Sequence, residues 1–211
     1  MRRGTGFFIT LEGPEGSGKS SQSRRLVRTL RRDGRAVVWL RDPGSTRLGR
    51  QLRQVLLHTE LRPGPLMEAL LFIGGRVRLV EEQVQPALAK SKIVICDRFH
   101  DATVVYQGYG GGLNPAWLDQ VGRRAIHHEM PQLTIVLDVP TAQGFSRLRH
   151  RHDRMERKVR AFHARVRAGY RALAKRQPRR MVVVDASRPA EAVWQDILRV
   201  VQRRLFKAET T

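Results

Sequence analysis

The sequence predicts an α/β fold, a parallel sheet covered by helices on both faces. Three observations carry this. Five short apolar segments alternate with stretches of helical periodicity along the whole chain. The first of these segments, FFITLE at 7–12, runs straight into a glycine-rich turn that opens a helix. The chain has 211 residues with 41% hydrophobic content, enough for one domain with a real core. Residues 1–211 are therefore read as a single domain, with no internal repeat and no linker.

The turn after the first strand reads GPEGSGKS. Gly13, four residues, then Gly18-Lys19-Ser20 is the P-loop spacing, set between strand and helix as that pattern requires. Its backbone N–H groups form a concavity for phosphate oxygens, and the following helix adds partial positive charge there. The candidate ATP-binding residues are Gly13, Pro14, Glu15, Gly16, Ser17, Gly18, Lys19, Ser20 and Ser21. Lys19 can reach the β- and γ-phosphates, and the Ser20 hydroxyl can hold Mg²⁺. Leu26, Val27 and Leu30 give the helix its apolar face.

Asp33-Gly34 closes a turn, and Ala36 to Leu40 is the second strand. The loop RDPGST at 41–46 leaves a strand end, where ligands bind in such sheets. Thr46 can cap the helix that carries Leu48, Leu52, Val55 and Leu56. Arg53 lies on another side of that helix, and spacing alone divides evenly between a solvated and a functional side chain. Leu66 to Ala89 is one long helix, interrupted in its middle by Gly74-Gly75. A close approach by a ligand or another helix would explain that pair. Phe72 and Arg76, four apart, share a face. Such a pair suits a flat heterocycle, although spacing alone favours a core Phe and a solvated Arg.

Lys92 to Cys96 is the third strand, ending in Asp97-Arg98. Thr103, Tyr106 and Gln107 lead into a glycine cluster at 108–112, read as a loop. A helix at 115–130, a strand at 133–139 and an arginine-dense segment at 147–157 follow. On its own terms that segment is a solvated charged face. A helix through Phe162, Val166, Tyr170 and Leu173, a strand at 181–184 and a helix at 190–206 complete the chain.

Forty Lys and Arg against 19 Asp and Glu give a net charge of +21. The arginines are scattered, so this charge is expected to draw nucleic acid only nonspecifically. No apolar run reaches membrane-spanning length. The short N-terminal apolar run leads into the P-loop and is strand, not a secretion signal. The single cysteine, Cys96, has apolar neighbours and suits a buried thiol in a reducing cytoplasm.

Across nearly its whole length, and in the same order of blocks, the chain resembles the thymidylate kinases. The blocks are LEGPEGSGKS at 11–20, RDPGST at 41–46, LGRQLRQVLL at 48–57, EALLFIGGR at 68–76, VICDRFHDATVVYQGYGGGL at 94–113, DRMERKVRAFHARVRAGY at 153–170 and VDAS at 184–187. The resemblance implies a P-loop nucleoside monophosphate kinase fold with sheet order 2-3-1-4-5, and phosphorylation of dTMP by ATP with Mg²⁺. It implies that Arg98 clamps the acceptor phosphate and that Glu15 lies near the 3′-hydroxyl and the metal. It sets Phe72 against thymine, Arg76 at its O4, Thr103 and Gln107 around the base, and Tyr106 under the sugar. Asp42 and Arg53 join the acceptor site, and Ser20 and Asp97 are the expected metal ligands. Gly16 stands where one branch of the family has arginine, so the catalytic arginine comes from a mobile lid at about 141–157. Arg149 and Arg151 are the candidates, joining Lys19, Arg98 and Glu15 as the catalytic set, and a homodimer is implied. The chain departs from the family at Asp42 and Ser45, where Glu and Gly are usual. It also departs at Gly74-Gly75, Phe99 and Ala102. The competing readings are a kinase of another nucleotide or nucleoside on the same fold, and a degenerate P-loop protein that binds nucleic acid.

Overall fold

The computed structural model describes residues 6–58, 63–148, 155 and 158–210. Five parallel strands, β1 (Phe7–Glu12), β2 (Val37–Arg41), β3 (Ile93–Asp97), β4 (Leu133–Asp138) and β5 (Met181–Asp185), form one sheet in the order 2-3-1-4-5. Both expectations for the sheet hold, with strand ends differing by about one residue. Helices α1 (Lys19–Arg32) and α9 (Ala190–Thr210) cover one face. The other face carries α3 (Pro65–Leu79) with α4 (Gln85–Ala89), and α8 (Arg160–Arg176).

Period-two alternation assigns the faces. Phe7, Ile9 and Leu11 of β1 pack with Leu26, Val27 and Leu30 of α1 and with Val193, Trp194 and Ile197 of α9. Phe8 packs beneath Leu79, Val80 and Val84. Thr10 shares that second face and hydrogen-bonds Thr134 at 2.9 Å. Glu12 therefore points the same way, towards α8. Cys96 is buried, and burial pushes its thiol well up, as a core thiol requires.

Three helical readings need correction. The long helix expected at 66–89 starts at Pro65 and is interrupted by a π segment, Val80–Val84, between α3 and α4. The helix at 115–130 stops at Ala125 (α6, Pro115–Ala125), and His127 and His128 turn with positive φ. The glycine cluster at 108–112, expected as a loop, is loop only from Gly111 on. Helix α5 (His100–Thr103) runs into a π segment, Val104–Gly110. Gly110 is there for packing, since a Cβ would lie 2.7 Å from the Phe162 ring. In the Gly74-Gly75 pair, Gly75 lets α3 approach α2 (Arg47–Arg53), where a Cβ would meet Leu52 at 2.9 Å; Gly74 faces open space.

Candidate active site

Parallel strands put their carboxyl ends on one edge, and the loops leaving β1, β2, β3 and β5 meet there. Between them lies a cleft of about 890 Å³. Glu15 to Ser21 line one side of it. Gly13 and Pro14 sit behind that wall and contribute carbonyls: Arg98 Nη1 donates to Gly13 O at 3.3 Å and Lys19 Nζ to Pro14 O at 2.7 Å. Lys19 also donates to Ser17 Oγ at 3.2 Å. Burial, with the Arg98 charge beside it, lowers the Lys19 ammonium to about 8. Gly16 adopts φ 68° and presses on the backbone of Gly144 in α7 (Thr141–Ser146), so no larger side chain fits there without a shift.

Arg98 follows β3 in the left-handed region, with φ 67°, which a residue with a Cβ seldom adopts. Its Nη2 donates to Glu15 Oε1 at 2.8 Å, and the Tyr106 hydroxyl donates to the same oxygen at 2.6 Å. Its guanidinium lies 4.9 Å over the Tyr106 ring. Burial works to raise the Glu15 carboxyl, but Arg98 and Lys19 hold it down to about 2. Behind Arg98 sits Glu12, which burial and the Asp101 charge push up to about 7 against the pull of Arg98.

Across the cleft, Arg76 is 2% exposed. Its Nε donates to Asp42 Oδ2 at 2.6 Å and its Nη2 to Thr103 Oγ1 at 2.9 Å. Nη1 is buried and has no hydrogen-bond partner. Burial pushes the Asp42 carboxyl up despite that pairing. Phe72, Arg53, Thr103, Tyr106 and Gln107 line the same end, and Gln107 Nε2 donates to Glu68 at 3.0 Å. The acceptor-site candidates are thus brought together, with Arg76 among the residues that line their cleft. Ser20 Oγ donates to Asp97 Oδ2 at 2.5 Å, which puts the two metal candidates side by side.

Arg149, Arg151 and Arg154 lie outside the described residues. Arg147 is described, and its guanidinium is held by backbone carbonyls. It donates to the carbonyls of Ala186 at 2.8 Å and Ser187 at 3.1 Å, tying α7 to the exit of β5. Three participants had no role in the sequence reading. Arg41 donates to Ser20 Oγ at 3.2 Å and lies 3.5 Å from Asp97; its place at the head of RDPGST was the available signal. Tyr170 had the spacing of a core side chain, and Glu12 looked like the last residue of a strand.

A family model described as thymidylate kinase matches residues 11–197. A thymidylate kinase of Thermomicrobium roseum is 44% identical over 205 residues, covering 93% of this chain and 97% of the relative. One of Deinococcus radiodurans is 42% identical over 201 residues, covering 94% and 98%. A crystal structure of thymidylate kinase from Ehrlichia chaffeensis superimposes with a TM-score of 0.77 at 32% identity, covering 93% of this chain and 99% of that one.

Proposed function

The chain belongs to the thymidylate kinase family, and from that premise we infer that it transfers the γ-phosphoryl group of ATP to the 5′-phosphate of dTMP, giving dTDP for dTTP synthesis. The observation that carries this reading is the pairing of two features in one cleft. A P-loop with its lysine lines one side, and a buried arginine whose Nη1 has no hydrogen-bond partner lines the other.

In the transfer, a dTMP phosphate oxygen bonds to the γ-phosphorus while the bond from that phosphorus to the β,γ-bridging oxygen breaks and ADP leaves. The attacking group is already an anionic oxygen, so no side chain need remove a proton. The work of the protein is positioning and charge neutralisation. P-loop amides and Lys19 hold the donor phosphates; Arg98, buttressed by Glu15, holds the acceptor phosphate. Phe72 stacks on thymine, Tyr106 floors the sugar, and Asp42, Arg53, Thr103 and Gln107 frame the acceptor. The segment at about 141–157 serves as the lid that excludes water and brings Arg149 or Arg151 to the migrating group.

We propose Mg²⁺ as the companion of ATP. Two hard oxygens, on Ser20 and Asp97, lie together beside the P-loop, and Mg²⁺ at phosphate sites takes few protein oxygens beyond those of the substrate. Bound there, Mg²⁺ would neutralise charge across the β- and γ-phosphates.

Arg76 supports the choice of base. Nη1 can donate to O4 of thymine, whereas cytosine offers an amine there, which is also a donor. An unmet buried donor costs about 1–3 kcal/mol, so dTMP should be favoured over dCMP by roughly 5- to 150-fold in kcat/KM. Arg76→Ala should collapse that ratio. It should also lower stability by about 3–5 kcal/mol, because Asp42 is left buried without its partner. Equal use of dTMP and dCMP by the wild type would remove Arg76 as the base reader.

We also propose a homodimer. Leu66, Met67 and Leu70 of α3 are exposed, and Met67, Leu70 and Gly74 recur at i, i+3 and i+7, forming an apolar stripe with a small residue against which a second helix can rest. Sedimentation should give a dimer for the wild type and a monomer for Leu70→Glu; a monomeric wild type would discard the interface. No helix among the described residues is long and apolar enough to cross a membrane. With one cysteine in the chain, we place the enzyme in the reducing cytoplasm. Its charge of +21 then gives nucleic acid a nonspecific, salt-sensitive attraction only.

A further inference from the structure

Glu12 is fully buried and does not line the cleft, yet both its oxygens are committed to the neighbourhood of one cleft residue. Oε1 accepts from the Phe99 amide at 2.7 Å, and Oε2 accepts from the Tyr170 hydroxyl at 2.7 Å. Phe99 follows Arg98, whose φ of 67° is disfavoured for any residue with a Cβ. The Arg98 amide is itself fixed to Leu11 O at 3.1 Å. The peptides on both sides of the strained residue are thus pinned to the end of β1, one by a backbone carbonyl and one by the Glu12 carboxylate. The second oxygen acts on the side chain: the Tyr170 hydroxyl that Glu12 holds lies 3.4 Å from Arg98 Nη1.

We propose that Glu12 is a positioning residue for Arg98, fixing its backbone through Phe99 and its guanidinium through Tyr170. This rests on the acceptor-phosphate role given to Arg98 above. A buried carboxylate needs donors for both oxygens, and here the two donors are the two groups that set where Arg98 points. Tyr170 sits on α8, the helix that follows the lid stretch. The same carboxylate therefore ties β1, the end of β3 and α8 together around one guanidinium.

The test is steady-state kinetics on Glu12→Gln and Tyr170→Phe, with thermal midpoint and circular dichroism on each. Glu12→Gln keeps the shape but presents an N–H₂ group to one of the two donors. A misplacement of about 1 Å can cost roughly 100-fold, so kcat/KM for dTMP should fall about 10- to 100-fold while KM for ATP moves less than about threefold. Tyr170→Phe keeps the Phe99 contact and should lose about 2- to 12-fold on the same parameter. The two losses should be less than additive in the double variant, because part of the Glu12 effect runs through the same Tyr170 hydroxyl. Unchanged dTMP kinetics in folded Glu12→Gln would overturn the proposal, as would a parallel loss for dTMP and ATP. If Glu12→Gln does not fold, Tyr170→Phe decides by the same criterion. An active wild type with an indifferent Glu12→Gln fails this inference alone; a wild type that does not phosphorylate dTMP fails the underlying reading as well.

Discussion

Lys19→Ala should lower kcat by on the order of 10³-fold, the scale of losing one preorganised charge at a transition state. The protein should stay folded. Among the described residues, the Lys19 ammonium hydrogen-bonds to Pro14 and Ser17 of its own loop, and the side chain belongs to none of the three apolar clusters. Burial already works against its charge, lowering its pKa to about 8, so the fold gains little from the ammonium. Under the proposed function the ammonium serves the phosphate chain of ATP, where its three N–H groups would replace solvent around the migrating group. Rapid-quench turnover, with the thermal midpoint measured on the same sample, checks both halves. Near-normal turnover by a folded Lys19→Ala protein would contradict the P-loop assignment.

The second large effect concerns the lid. Position 16 cannot supply the catalytic arginine, because Gly16 packs directly on the Gly144 carbonyl. Arg147 is engaged with the carbonyls of Ala186 and Ser187. On the proposed reading, the charge comes from the stretch that follows. Among Ala variants at Arg147, Arg149, Arg151 and Arg154, one of the last three should dominate, with kcat falling on the order of 10³-fold as for other arginines that act on transferred phosphoryl groups. Arg147→Ala should instead show mainly in KM for ATP, since it braces the wall beside Ser187. Four mild effects on kcat would mean that the arginine run is only a solvated face.

Much of this was legible in the chain itself. The P-loop and the five strands announce themselves through local patterns, an apolar run and fixed glycine spacings, which tertiary packing does not override. Arg76 shows where local reading stops. Spacing put it on the face of Phe72 but favoured a solvated side chain, because its buried partner, Asp42, is 34 residues away in sequence. The π segment at Val104–Gly110 was hidden by its glycines. Gly108 and Gly110 looked like turn residues, but Gly110 leaves room for the Phe162 ring, a contact made by α8 far along the chain. Glu12 and Tyr170 carry no local sign at all; 158 residues separate them, and their bond exists only because β1 and α8 pack together.

Incubation of the protein with γ-labelled ATP and dTMP, followed by identification of the product, should give labelled dTDP, with the label on its β-phosphate and one ADP formed for each dTDP. ATP loss without dTDP, or transfer to another nucleoside monophosphate in preference to dTMP, would contradict the proposed function.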